Sequence, residues 1–172
     1  DHLENEMDLI LWRHAEAEPL SAGLADLSRA LTPKGERQAS RMASWLERHL
    51  PEGTRVMSSP AHRAEQTAQA LGRKFKLRDE LMPDACVEDV LHLLKWDATQ
   101  GPQGKGPVLL VGHQPWMGQL IAYLLRLEEP ECAVRKGAVW WMRTRLRDHK
   151  LQTSLMTVAC PELISRSWDD RS

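Results

Sequence analysis

Three apolar segments of the chain each end close to an arginine or a histidine. Arg13 and His14 directly follow the first segment, Arg63 lies shortly after the second, and His113 follows the third. An arginine side chain is permanently charged and can bind two oxygen atoms of one anion at once. A neutral imidazole can attack phosphorus, and a second imidazole can hold a proton beside the charge that builds up. Brought together, these residue types would suit the transfer of a phosphoryl group.

The elements around these residues alternate between strands and helices. Short apolar segments predict buried strands, and apolar residues at helical spacing predict the helices between them. Thr32 and Pro33 are typical of a helix start, as N-cap and first helical residue. The alternation predicts an α/β fold, a three-layer sandwich with a mostly parallel central sheet flanked by helices. The predicted strands are 8–12, 54–59, 108–112, 138–147 and 151–158, and the predicted helices are 33–50, 60–75, 87–96 and 116–125.

The carboxyl ends of the first three predicted strands are the expected position of the site. In open α/β sheets the ligand crevice lies outside these ends, where helix N-termini offer free N–H groups to an anion. If the three strands are neighbours, Arg13, His14, Arg63 and His113 converge there. The sequence therefore predicts an anion site at this edge of the sheet.

Length and composition indicate one ordinary globular domain. The chain has 172 residues, and we predict a single domain at 8–160, with residues 1–7 disordered or appended to the natural chain. A net charge of -1 gives no general attraction to nucleic acid or to an anionic membrane. The three cysteines form no CxxC pair, and no apolar stretch is long enough to span a bilayer. We expect a cytoplasmic protein with neither a nucleic-acid nor a membrane partner.

Arg143, Arg145 and Arg147 lie two residues apart within the fourth predicted strand. This spacing places them on one face of the strand. We interpret them as the solvated face of an edge strand, where charge protects the edge against aggregation.

The motifs in this order resemble the histidine phosphatase superfamily, which has the phosphoglycerate-mutase-like fold. The resemblance rests on the Arg13-His14 pair, on "SSPAHRAEQTA" at 58–68 and on "VGHQP" at 111–115. The chain is most similar to the SixA-type phosphohistidine phosphatases, through "RHAEAE", "LTPKG", "RAEQTA" and its short length. The resemblance covers about 8–125 and weakens beyond. Ala15 stands where the superfamily usually has glycine, a change that SixA-type chains tolerate.

The resemblance implies a role for each residue of the motifs. His14 would be the nucleophile that carries the phosphoryl group, and His113 would stabilise the group during transfer. Asp26 and Arg29 precede the "LTPKG" helix, as an acidic and a basic residue do in SixA-type proteins, and Arg29 is expected to reach the phosphate. The candidate phosphate-binding residues are Arg13, Arg63, Arg29, Asp26, Ser59 and Gln114.

A general acid is not evident in the sequence. Mutases and phosphomonoesterases of the superfamily use a carboxylic acid to protonate the departing alkoxide, in the segment after the second arginine motif. That segment offers Glu80, Asp84, Glu88 and Asp89, none of them in a matching pattern. An alkoxide needs the proton, whereas the imidazole of a phosphohistidine leaves more readily. The sequence therefore favours cleavage of an N–P bond over an O–P bond.

Three functions remain open at this point. The favoured one is a phosphatase that removes phosphate from a histidine of a signalling or phosphocarrier protein, through a covalent phosphohistidine on His14. The second is a small-molecule phosphomonoesterase of the same superfamily, with Glu80 or Asp84 as the acid. The third is a non-catalytic module that binds phosphorylated proteins. No metal-ligand spacing is present, so we predict neither a metal nor another cofactor.

Overall fold

A six-stranded sheet forms the centre of the protein. The computed structural model describes residues 3–104 and 106–164. The described strands are β1 (Leu3–Arg13), β2 (Arg55–Ser58), β3 (Lys76–Leu77), β4 (Trp96–Asp97), β5 (Gly101–Pro102), β6 (Val108–Gly112), β7 (Val139–Arg147) and β8 (Lys150–Ala159). The central sheet has the order β3-β2-β6-β1-β7-β8, and β4 pairs with β5 in a separate ribbon.

The strands that carry the motifs are neighbours and run in the same direction. β6 lies between β1 and β2 and is parallel to both, and β3 adds a further parallel strand beside β2. β7 and β8 complete the sheet in antiparallel pairing. The register places Arg13 opposite Gly112, and Ser58 opposite Val111. The carboxyl ends of β1, β2 and β6 thus meet at one edge, and the predicted α/β sandwich is confirmed.

Two layers of helices cover the sheet. Along β1 the apolar side chains alternate between the faces, because successive strand residues point to opposite sides. Ile10 and Trp12 pack against the first layer, and Leu9 and Leu11 pack against the second. Among the described residues, no helix combines the length and apolar character needed to cross a membrane. The first layer contains α1 (Pro33–His49) and α2 (His62–Gln69), and the second contains α3 (Val87–Leu93) and α4 (Trp116–Leu125).

The helices begin largely as predicted, but two of them end early. Thr32 caps α1, since its Oγ1 accepts a hydrogen bond of 2.9 Å from the backbone N–H of Gly35. α2 ends at Gln69 instead of continuing to residue 75, and Gly72 follows in the left-handed region with φ +67°. α3 ends at Leu93, and Lys95 then adopts φ 53°. A left-handed residue stops the helical hydrogen-bond pattern.

Two expectations about the sheet were wrong. β1 begins at Leu3, so residues 3–7 belong to the sheet and are not disordered, while residues 1–2 lie outside the described part. The arginines of β7 do not mark an edge strand, because β7 lies between β1 and β8. Arg143 Nε donates to Asp8 Oδ1 at 2.6 Å, and Arg145 Nε donates to Glu6 Oε2 at 3.0 Å. These ion pairs with β1 explain Arg143 and Arg145, whereas Arg147 is exposed as the sequence pattern predicted.

Candidate active site

Two buried histidines face each other at the carboxyl edge of the sheet. The ring centroids of His14 and His113 are 5.1 Å apart, with the rings tilted by 53°. His14 is 6% exposed and His113 is 1% exposed. The backbone N–H of His14 donates to the carbonyl of Gly112, which continues the pairing of β1 with β6. Adjacent parallel strands therefore bring together two residues that are far apart in the sequence.

The hydrogen bonds of His14 determine which ring nitrogen is available. Nδ1 lies 2.7 Å from the carbonyl oxygen of Ala15. A carbonyl can only accept, so Nδ1 must carry the proton. In the neutral ring Nε2 then keeps its lone pair, which is the form required for nucleophilic attack.

The surroundings keep both imidazoles neutral. Burial lowers the pKa of His14 to about 3, and the nearby arginines Arg63, Arg13 and Arg29 contribute, against the opposing effect of the Ala15 carbonyl. Burial also lowers the pKa of His113 to about 2, with further contributions from His14 and the same arginines. A positive charge on either ring is disfavoured by loss of water and by the positive charges around it. Both groups are bases whose neutral form persists to acidic pH.

This electrostatic environment predicts an unusual titration. We expect the ring-nitrogen NMR signals of His14 and His113 to show no protonation step between about pH 5 and pH 8, where a free imidazole titrates near ~6.5. The pKa is about 3 for His14 and about 2 for His113, so both imidazoles become protonated only below this pH range. Signals can be assigned by comparison with variants at each position. A step near neutral pH in the signal of His14 would contradict this account.

Two arginines lie beside the histidine pair. Arg63, at the start of α2, is 3% exposed, and its positive charge acts on Arg13 and on both histidines. Arg13 Nη1 donates to the carbonyl of Val134 at 2.6 Å. The Nε atoms of both arginines and Nδ1 of His113 are buried without a hydrogen-bond partner among the described residues. Buried polar atoms are normally paired, so this group has unused capacity to bind a ligand.

Asp26 and Arg29 also reach the site, but Asp26 has a different task from the predicted one. Its carboxylate lies 3.2 Å from Arg63 Nη2 and 2.9 Å from Arg29 Nη2, and its carbonyl accepts from Arg63 Nη1 at 2.9 Å. Burial opposes ionisation of Asp26, but Arg63 and Arg29 lower its pKa below the ordinary value. A carboxylate repels a phosphoryl group. Asp26 is therefore placed to hold the two arginines and not to bind phosphate itself.

Ser59 and Gln114 serve neighbouring groups. Ser59 Oγ lies 2.7 Å from His113 Nε2 and accepts from the backbone N–H of Ala61, so it fixes the orientation of His113. Gln114 Oε1 accepts from the N–H of Gly118, and its Nε2 donates to the carbonyl of Cys132. The bond to Cys132 uses one of the two N–H groups of this amide, so phosphate binding by Gln114 stays a prediction.

Comparisons with known proteins agree with this geometry. A profile of the histidine phosphatase superfamily (branch 1) matches residues 9–85. The phosphohistidine phosphatase SixA of Escherichia coli K12 is 33% identical over 127 residues, covering 72% of this chain and 78% of the relative. The chain belongs to the histidine phosphatase superfamily. A SixA homolog of Haemophilus influenzae is 28% identical over 137 residues, covering 72% of this chain and 80% of its own.

The fold of the histidine phosphatase is similar to the solved structures of SixA proteins. It superposes on protein histidine phosphatase SixA complexed with tungstate with a TM-score of 0.74 and 27% identity, over 92% of this chain and all of the other. The SixA protein of Nakamurella gives a TM-score of 0.70, also at 27% identity, over 93% of this chain and 99% of the other. The protein is therefore a phosphatase of this superfamily, and its SixA-type character is confirmed.

The sequence did not reveal several contacts that hold the site of this histidine phosphatase. Thr67 Oγ1 accepts from the N–H of Ala15 at 3.1 Å and donates to the carbonyl of Arg63, so it links the segment after His14 to α2. Gly137 N–H donates to the carbonyl of His14. Thr67 lies in the "RAEQTA" motif, which could have suggested it. The segment that contains Val134 and Gly137 carried no such signal, because it lies beyond the resemblance.

The two candidate acids of the histidine phosphatase lie in the segment that follows β3. Arg78 N–H donates to the carbonyl of Ser58, which places this segment beside the carboxyl end of β2. Glu80 is half-buried there, and Asp84 is exposed. Neither carboxylate is among the groups that shift the pKa of His14 or His113. Within residues 3–104 and 106–164, the charged side chains that act on the histidine pair are Arg13, Arg29 and Arg63.

Proposed function

We propose that the protein is a phosphohistidine phosphatase that acts on a histidine-phosphorylated signalling or phosphocarrier protein. The observation that carries the proposal is His14, a buried, neutral imidazole beside His113 and buried guanidinium groups, whose Nε2 has no hydrogen-bond partner in the described part of the chain. The relatives named SixA phosphohistidine phosphatases support the substrate class. A cytoplasmic location remains a prediction from the sequence.

The first step is transfer of the phosphoryl group to His14. Arg13 and Arg63 bind the phosphoryl oxygens through their unused N–H groups and neutralise part of the negative charge. Nε2 of His14 attacks phosphorus, and the N–P bond of the substrate breaks. The departing histidine, protonated on its other ring nitrogen by solvent, keeps the electrons of the N–P bond and leaves as a neutral imidazole. The product of this step is a covalent phosphohistidine on the enzyme.

The second step returns the enzyme to its starting form. Water attacks the phosphorus on His14, the new N–P bond breaks, and inorganic phosphate is released. His113 supports both steps, because a phosphoryl dianion raises the pKa of a nearby imidazole and favours its protonated form. Its Nδ1 is the ring atom without a partner among the described residues, so Nδ1 is placed to donate to a phosphoryl oxygen.

A comparison of two substrates tests the proposed function. We expect rapid turnover of a phosphohistidine protein and slow turnover of a phosphomonoester such as p-nitrophenyl phosphate, because no carboxylate of the described residues acts on the histidine pair. Rapid turnover of the ester alone would identify a small-molecule phosphomonoesterase. Failure to label His14 with any substrate would favour a binding module without turnover.

Substitution of the candidate acids provides the second test. Glu80→Gln and Asp84→Asn should each leave kcat on a phosphohistidine protein within about threefold of the unsubstituted enzyme, because a leaving imidazole needs little help. A general acid typically contributes ~10²-fold or more, so a loss of that size in either variant would assign it the acid role. Glu52→Gln, an exposed carboxylate between α1 and β2 and outside the candidate segment, is the matched control.

A further inference from the structure

A cleft lined by cationic side chains lies beside the candidate active site. It has a volume of about 250 Å³ and lies between the first turns of α1 and the segment that follows β8. The cations of α1 in this cleft are Lys34, Arg37 and Arg41, which are spaced along one side of the helix. Arg41 Nη1 donates to the carbonyl of Pro161 at 2.8 Å and joins the two walls. The cleft is therefore a defined feature of the folded chain.

The cleft is in contact with the segment that supports His14. Gly137 donates its N–H to the carbonyl of His14. A Cβ atom on Gly137 would lie 3.1 Å from Pro161 Cγ and 3.7 Å from Gln38 Cβ, and both of these residues line the cleft. One residue thus separates the backbone of the candidate nucleophile from the cleft wall.

The charge of this surface differs from that of the whole chain. The chain has a net charge of -1, but the cleft has three cations and one carboxylate among its lining residues. That carboxylate, Glu162, lies 3.2 Å from Arg135 Nη2, on the adjacent loop. Lys136 is exposed on the same loop and adds a further cation. A cationic surface of this kind attracts and orients acidic partners.

We propose that this cleft, lined by Lys34, Arg37 and Arg41, binds an acidic segment of the phosphohistidine-bearing protein and so selects the substrate. The inference rests on the proposed function, because it assumes that the occupant carries the phosphorylated histidine. A second basic surface exists at β3, where Lys74 and Lys76 are exposed. There Lys76 lies on the short edge strand β3 and Lys74 lies just before it, where charge protects the edge against pairing. That surface supplies the matched control.

The test uses two phosphohistidine peptides that differ only in flanking glutamates or glutamines. We expect the enzyme to show a KM about tenfold lower for the glutamate peptide, with equal kcat, and to lose most of this preference at high salt. The variant Lys34→Glu/Arg37→Glu should abolish or reverse the preference, whereas Lys74→Glu/Lys76→Glu should keep it. Equal KM values for the two peptides, or an equal effect of both variants, would overturn the proposal.

A binding measurement separates this proposal from the proposed function. Fluorescence anisotropy with the unphosphorylated glutamate and glutamine peptides reports docking without turnover. Selective binding of the glutamate peptide that depends on Lys34 and Arg37 would support the cleft even if no phosphohistidine were hydrolysed, and its absence would reject the cleft. The chain has an acidic pair of its own at Asp169 and Asp170, which could compete with the peptide for the cleft. The variant Asp169→Asn/Asp170→Asn should therefore leave the preference for the glutamate peptide unchanged. If the preference appeared only in this variant, the cleft would belong to the chain's own acidic residues, and the proposal would be rejected.

Discussion

Replacing His14 by asparagine is expected to reduce kcat by at least about 10⁴-fold, because the variant loses the atom that forms the bond to phosphorus. Asparagine is a suitable replacement, since its amide can still donate toward the carbonyl of Ala15 that Nδ1 now contacts. The measurement is steady-state hydrolysis of a phosphohistidine protein, combined with trapping of the acid-labile phosphoenzyme from radiolabelled substrate. The label should appear on the unsubstituted enzyme and be missing from His14→Asn.

Two controls give this result a specific meaning. His62→Asn changes an exposed histidine beside Arg63 and should retain full activity. Binding of phosphate or tungstate to His14→Asn should remain within a few-fold of the unsubstituted protein, because the arginines are untouched. If His14→Asn keeps substantial turnover or still becomes labelled, the covalent route through His14 is wrong.

Replacing Arg63 by glutamine is expected to lower kcat/KM by about 10²–10³-fold, the usual cost of removing one group that stabilises the charge of a transition state. Arg63 is almost completely buried, and its charge acts on both histidines. Phosphate affinity should fall in parallel. Arg63→Lys should recover only part of the activity, because a lysine cannot bind two oxygens with a planar fork.

Asp26 makes the Arg63 experiment more informative. Arg63 binds both the carbonyl and the carboxylate of this residue, so its removal also releases the loop that carries Arg29. Arg73→Gln is the matched control, because Arg73 follows α2 and pairs with Glu47 in a partly exposed position. It should leave kcat/KM unchanged. An equal effect of Arg63→Gln and Arg73→Gln would show that Arg63 supports the fold and not the phosphoryl group.

The general fold and the central residues could be read from local patterns. Apolar runs and helical spacing depend on neighbours in the chain, so they predicted the α/β sandwich and most of its elements. The carboxyl ends of parallel strands share one edge, so the positions of Arg13, His14 and His113 in the chain implied their proximity. The structure brings these residues together with Arg63 at that edge.

Contacts between distant segments decided the rest. Pairing between β1 and β7 explains the early strand residues 3–7 and the positions of Arg143 and Arg145, and no local pattern contains it. The partners of Gln114 and Asp26 were likewise not evident from local patterns. The amide of Gln114 bonds to backbone groups, and the carboxylate of Asp26 pairs with arginines. A side chain's type states what it can bind, whereas the tertiary structure determines which partners are within reach.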